Sequence, residues 1–227
     1  MKPARLATRW HEARRYLRHP WALLGVLSMI GLGIVSLIHL GSAQRIAAQQ
    51  REDFYRTLAT LLPPQLYDND PLAHAERIGT ESAHPGDAFR VYRASRAGQP
   101  VADLLLGVAP DGYAGDIGLL IVVRPDGVLI GVRVLEHRET PGLGDRIETA
   151  RSDWITRFTG RSLSSPPESQ WAVKRDGGAF DQFTGATITP RAVVRAVQRA
   201  LRFYAVASPR LFTPAATDLP AMKSNLP

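Results

Sequence analysis

Three threonines and a Gly-Ala pair crowd the stretch Asp181-Gln182-Phe183-Thr184-Gly185-Ala186-Thr187-Ile188-Thr189-Pro190. A threonine hydroxyl is a weak nucleophile until another group activates it. The stretch therefore reads as a substrate: a hydroxyl offered for modification at the start of a helix. Its plain alternative is a Gly turn and a helix cap, with Thr189 as N-cap and Pro190 in the first helical position. About forty residues upstream lies His137-Arg138-Glu139-Thr140-Pro141-Gly142-Leu143-Gly144-Asp145. Pro141-Gly142 suits a tight turn, and glycines here let backbone amides approach a flat ligand. The plain alternative is an ordinary turn closing a strand. His137-x-Glu139 is too sparse a spacing for a metal or acid–base site, and no other histidine clusters with it in the sequence.

These segments need elements to hold them. Ile117–Val123 and Val128–Glu136, joined by Pro125-Asp126-Gly127, predict a β-hairpin. Phe89–Ala94 and Val101–Val108 are strand candidates, Arg151–Phe158 a short helix and Trp171–Lys174 a last strand. A final helix is expected to run from Thr189 to about Ala207. Val193, Val194, Val197, Leu201 and Tyr204 would form its buried side, and Arg191, Arg195, Arg199 and Arg202 a solvated one.

Ahead of this mixed pattern, Trp21 to Leu40 contains no Asp, Glu, Lys or Arg. As a helix the run would be about 30 Å long, the thickness of a hydrocarbon core. It is too long for a signal-peptide apolar region. Lys2, Arg5, Arg9, Arg14, Arg15 and Arg18 against Glu12 place +5 of the overall +7 charge before it. The positive-inside rule then sets the N-terminus in the cytoplasm and the rest outside. The expected organisation is a basic arm (1–20), a membrane span (21–40), a stalk helix (41–63) stopped by Pro63-Pro64, a domain (64–207) and an irregular tail (208–227). The fold class is α+β, a small mixed sheet with a C-terminal helix. The chain has no cysteine, which excludes disulfides and thiolate-held clusters. Outside the arm the charge is nearly balanced, and no basic aromatic stripe argues for nucleic acid.

Taken together, Glu139-Thr140-Pro141-Gly142-Leu143-Gly144 and Asp181-x-x-Thr184-Gly185-Ala186-Thr187 resemble the paired signature of FMN-binding domains. With Gly112-Tyr113-Ala114-Gly115-Asp116-Ile117 and Ser152-Asp153-Trp154-Ile155, they resemble the G-type component of the Rnf/Rsx electron-transport complexes. The C-type component of the sodium-pumping NADH:quinone reductase shares the anchor and both motifs, and the long matches favour the former. A flavin-free membrane-anchored assembly factor is the reading from a different class. The resemblance implies an electron-carrier subunit, not a stand-alone enzyme. FMN would be joined by its phosphate to Thr187, placed there by a flavin transferase that takes it from FAD. Thr184 stands where many members carry serine, and Thr184 and Thr189 remain alternative acceptors. The implied cofactor shell is Asp181, Thr184, Gly185, Ala186, Glu139, Thr140, Gly142 and Leu143, with Lys174 as a further candidate. Implied partners are the other integral subunits of a complex in a bacterial inner membrane, with this domain in the periplasm.

Overall fold

The computed structural model describes residues 20–73, 75–79 and 88–211. The basic arm through residue 19 and the tail from residue 212 lie outside the described residues. The described residues form two compact units, divided between Tyr55 and Arg56.

A single helix, α1 (Pro20–Ala59), covers both the expected span and the expected stalk. Gly41-Ser42-Ala43 is small but contains no proline, and nothing there breaks the backbone ladder. The helix ends in a tightened turn, with Thr60 N–H donating to Thr57 O at 3.1 Å and Leu61 N–H to Leu58 O at 2.9 Å, ahead of Pro63-Pro64. Among the described residues no helix is long and apolar enough to cross a membrane. The side chains of Ala22, Ile38 and Leu40, inside the uncharged run, are outside the described set.

The second unit holds a five-stranded meander: β1 (Ala75–Gly79), β2 (Ala88–Arg96), β3 (Gln99–Ala109), β4 (Ile117–Val123) and β5 (Leu129–Glu136). Each strand pairs antiparallel with the next. The sheet is therefore antiparallel throughout, not mixed. Short connections between successive strands permit only hairpin returns, since a parallel return needs a crossover of a dozen or more residues. The expected hairpin β4–β5 is present, with Leu105 opposite Ile121 and Ile121 opposite Val132.

β4 reads Ile-Gly-Leu-Leu-Ile-Val-Val without alternation because both of its faces are covered. One carries Leu119, Ile121 and Val123 into the main core. That core also takes Val193, Val194, Val197, Leu201 and Tyr204, the expected buried side of α2 (Ile188–Leu211). On the other face lie Leu104, Leu120 and Val122, all fully buried, as are Leu58 and Leu62. A Cβ at Gly131 would come within 2.5 Å of Leu61, so the last turn after α1 packs directly on the sheet.

Two further expectations change. Trp171–Lys174 is not a strand: Val173 makes one bridge to Phe180, and Lys174–Asp176 is a single 3-10 turn. Its apolar residues go into an aromatic cluster instead. Phe158 stacks on Phe180 at 4.8 Å and on Trp171 at 6.2 Å, and Trp154 meets Phe183 edge-on at 5.2 Å. The arginine side of α2 is not simply solvated. Arg191 pairs with Asp176 at 2.5 Å and Arg202 with Glu168 at 2.5 Å.

Candidate functional site

β5 delivers the chain into the loop 137–145, and the 110–116 connection between β3 and β4 turns back beside it. The start of α2 completes a cavity of about 310 Å3 at this end of the sheet. It is lined by Tyr113, Glu139, Thr140, Leu143, Gly144 and the run Gly185–Thr189. The two chemistry-bearing segments of the sequence are thus one place in the fold. Of the expected residues, Thr187, Gly185, Ala186, Glu139, Thr140 and Leu143 line this cavity together. Thr184, Asp181, Gly142 and Lys174 do not.

Thr187 itself occupies the N-cap position. Its carbonyl accepts from Arg191 N–H at 3.3 Å, and α2 begins at Ile188. This displaces the expected cap by two residues. Thr189 fails as a cap because its side chain is fully buried and its hydroxyl donates to Glu139 Oε2 at 2.5 Å. Gly185 supplies the turn before the helix, with φ of +84°. A Cβ there would lie 3.6 Å from Leu143, in ordinary van der Waals contact.

Glu139 is the centre of this arrangement. It is 4% exposed, although it belongs to a residue type rarely buried without partners. Oε1 accepts from Ala114 N–H at 3.1 Å, while Oε2 takes the Thr189 hydroxyl. One carboxylate therefore joins three loops. A Cβ on Gly112 would lie 2.8 Å from Oε1, and one on Gly144 would lie 2.9 Å from Oε2. Both glycines leave room for it. Glu139 N–H donates to His137 Nδ1 at 3.0 Å, and His137 Nε2 sits 2.6 Å from Glu148 Oε1. An Nδ1 that accepts requires the proton on Nε2.

Gly142 has φ of +81°, but a Cβ there meets only open space. Its requirement is conformational, and the crowded glycine of the loop is Gly144. The 140s turn is closed by Gly142 N–H to Asp145 Oδ1 at 2.8 Å and Gly144 N–H to Thr140 O at 3.0 Å.

Asp181 acts outside the cavity. Its carboxylate pairs with Lys174 at 2.5 Å and with Arg157, and its carbonyl accepts from Trp154 Nε1 at 2.7 Å. The Lys174 ammonium, followed by the Arg157 guanidinium, holds that carboxyl below the ordinary range. Lys174 is accordingly engaged with Asp181 rather than with the cavity. Together with buried Phe183, these contacts fasten the threonine segment to the aromatic cluster. Sequence reasoning missed Tyr113 and Ile188 as lining residues. Tyr113 was visible as an aromatic within Gly-Tyr-Ala-Gly, but nothing local marked it as facing the cavity.

The volume is at the lower end of the range for small-molecule pockets, about 300–1,000 Å3. Tyr113, Leu143 and Ile188 expose apolar surface there, at 69%, 44% and 44%. A planar aromatic ligand fits such walls. An anion fits the other end, where Thr187 precedes the positive pole of a long helix.

Residues 112–202 match the FMN-binding domain family. A Pseudomonas aeruginosa (strain UCBPP-PA14) protein, named as the G-type component of an ion-translocating oxidoreductase complex, is 47% identical over 207 residues, covering 88% of this chain and 94% of that one. A protein of the same name from Shewanella oneidensis is 42% identical over 84% of this chain and 91% of its own. Another from Cereibacter sphaeroides is 46% identical over 80% of this chain and 81% of its own.

Proposed function

Because the chain belongs to the family of G-type components of ion-translocating oxidoreductase complexes, we propose that it is the membrane-anchored flavin carrier of such a complex. In this reading FMN is held covalently by a phosphoester on Thr187. It works with the other integral subunits and not as a free-standing enzyme. The observation that carries the reading is the position of Thr187. Among the three threonines of its segment, it is the one that lines the cavity while staying only half-buried, and its carbonyl caps α2.

The residues divide the work. Thr187 offers the acceptor oxygen, and a phosphate charge there is stabilised by the free amides and dipole of α2. Gly185 and Ala186 keep the approach open. Thr140, Leu143, Tyr113 and Ile188 form walls for a flat ring, and Glu139 fixes the three loops that carry them. Bound there, the flavin supplies one- and two-electron redox chemistry. A covalent link retains it in a compartment where free flavin would diffuse away. A flavin transferase using FAD is the implied partner during maturation. The name shared by the relatives favours this assignment over the C-type component of a sodium-pumping reductase.

The organisation that supports this role is the one expected from sequence. Residues 1–20 lie in the cytoplasm, 21–40 span a bacterial inner membrane, 41–63 lead out of it, and 64–207 carry the flavin in the periplasm. Two observations favour it. The run from Trp21 to Leu40 has no charged residue. Within it Leu23, Leu27, Met29, Leu32 and Val35 all expose more than half of their surface, and a helix apolar on every side belongs in lipid or in a core.

The test is covalent labelling. Expressed with a flavin transferase, the wild type should fluoresce in a denaturing gel and Thr187→Ala should not, while remaining folded by circular dichroism. An unlabelled wild type would end the flavin reading. Reporter fusions after residue 62 should be active for a periplasmic enzyme and silent for a cytoplasmic one. The reverse pattern would overturn the orientation.

A further inference from the structure

Thr140, Thr187 and Thr189 line the cavity, and the structure treats the two from the threonine segment differently. We propose that Glu139 is the positioning residue that selects the acceptor: by taking the Thr189 hydroxyl, it leaves Thr187 as the hydroxyl available for phosphoester formation. This rests on the flavin-carrier reading above and assigns a cause to the choice of residue.

Phosphoester formation needs a threonine oxygen with a free lone pair and a proton it can lose. The Oγ1–P bond forms as the phosphoanhydride bond of a flavin dinucleotide donor breaks. The nucleotide monophosphate leaves, and the hydroxyl proton passes to the transferring enzyme or to solvent. Thr184 is exposed but lies outside the cavity lining. Thr187 and Thr189 are two residues apart and both line it. Thr189 is fully buried, and its proton is committed to Glu139 Oε2 at 2.5 Å. A charge-assisted bond to a desolvated carboxylate is about twice as strong as a neutral one. Losing it is the first cost of any reaction at Thr189. The bond also turns the Thr189 side chain toward the loop 139–144.

Glu139 is itself held for this task. Its other oxygen is occupied by Ala114 N–H, and its own amide is tied to His137 Nδ1. Gly144 has no side chain where one would press on both members of the pair, 2.9 Å from Glu139 Oε2 and 3.0 Å from Thr189 Oγ1. The two hydrogen bonds to the carboxylate and the one from its amide fix where it meets the hydroxyl.

The experiment is adduct mapping after co-expression of the full chain with a flavin transferase. Fragmentation of the tryptic peptide Asp176–Arg191, which contains all three threonines, locates the flavin. Thr187→Ala should carry no adduct. In Thr187→Ala/Glu139→Ala, labelling at Thr189 should rise about tenfold or more, the factor that loss of one charge-assisted bond allows. Thr187→Ala/Glu139→Gln should label Thr189 no more than the double alanine variant, because its single amide oxygen can serve the Thr189 hydroxyl or Ala114 N–H but not both. Glu139→Asp, with its carboxylate withdrawn by one methylene, replaces Glu139→Ala if the latter does not fold. Labelling of Thr189 in Thr187→Ala alone would overturn the proposal. So would an unlabelled double alanine variant when Glu139→Ala alone is loaded at Thr187, since Thr189 would then be excluded by something other than Glu139. Loss of all flavin from a folded Glu139→Ala would also overturn it, making Glu139 a requirement for loading rather than for selection. An unlabelled wild type instead defeats the flavin-carrier reading itself.

Discussion

Glu139 and Asp181 are carboxylates from the two chemistry-bearing segments, and the fold gives them opposite environments. Glu139 is 4% exposed and binds two neutral donors, an amide and a hydroxyl. The Asp181 side chain is 33% exposed and faces two cations. A desolvated carboxylate with neutral partners fixes geometry, because each donor has one place to go and no water competes. An exposed ion pair is screened and contributes little. The difference teaches that Glu139 shapes the cavity from within, while Asp181 fastens its rim from outside. Even there, the Asp181 carbonyl bound to Trp154 is more firmly placed than its carboxylate.

The comparison breaks most visibly at Glu139. Glu139→Ala should cost about 3 kcal/mol in denaturant unfolding, because the Thr189 hydroxyl and Ala114 amide lose a charged acceptor in a buried site. A cost below about 1 kcal/mol would place Glu139 with Asp181 after all. Gly144→Ala comes next, at about 2 kcal/mol, since the added Cβ presses on Glu139 and Thr189 within 3.0 Å. Gly142→Ala should cost about 1 kcal/mol through its φ of +81° alone, leaving the cavity unaltered. If the order of the two glycine variants were reversed, the loop would be limited by backbone strain and not by crowding around the carboxylate.

Asp181→Asn should show the smallest effect, below about 1 kcal/mol and shrinking as salt is added. Its sign with pH is fixed. Lys174 and then Arg157 lower the folded-state value beneath the ordinary 3.8. The contribution is therefore complete above 3.8 and lost as pH falls through the lower, folded value. Unfolding curves of wild type and Asp181→Asn should run parallel from about pH 5 to 8 and converge below 3.8. A gap that persists in strong acid would show that the carboxylate acts through shape rather than charge.

Much of the site was legible in residue order. The Thr-Gly-Ala-Thr segment and the Pro-Gly loop carry their own turn chemistry, so each could be placed at a strand exit or a helix start from local rules. The hairpin β4–β5 and the buried stripe of α2 followed from apolar spacing. β1 was not legible: Ala-Glu-Arg-Ile-Gly has a single large apolar residue and pairs because β2 offers it an edge. Trp171–Lys174 looked like a strand by composition. Its aromatic neighbours Phe158 and Phe180, near in space and not in sequence, drew it into a cluster.

The sequence by itself determined that Thr187 precedes a helix, that a glycine-bearing loop follows β5, and that an uncharged run precedes both, since caps, turns and hydropathy are properties of neighbouring residues. Only the tertiary structure decided that Glu139 belongs to Thr189, 50 positions away, and to Ala114, 25 positions away. A buried carboxylate must find donors wherever packing brings them, and the sheet, not the local chain, brings these three loops to one point.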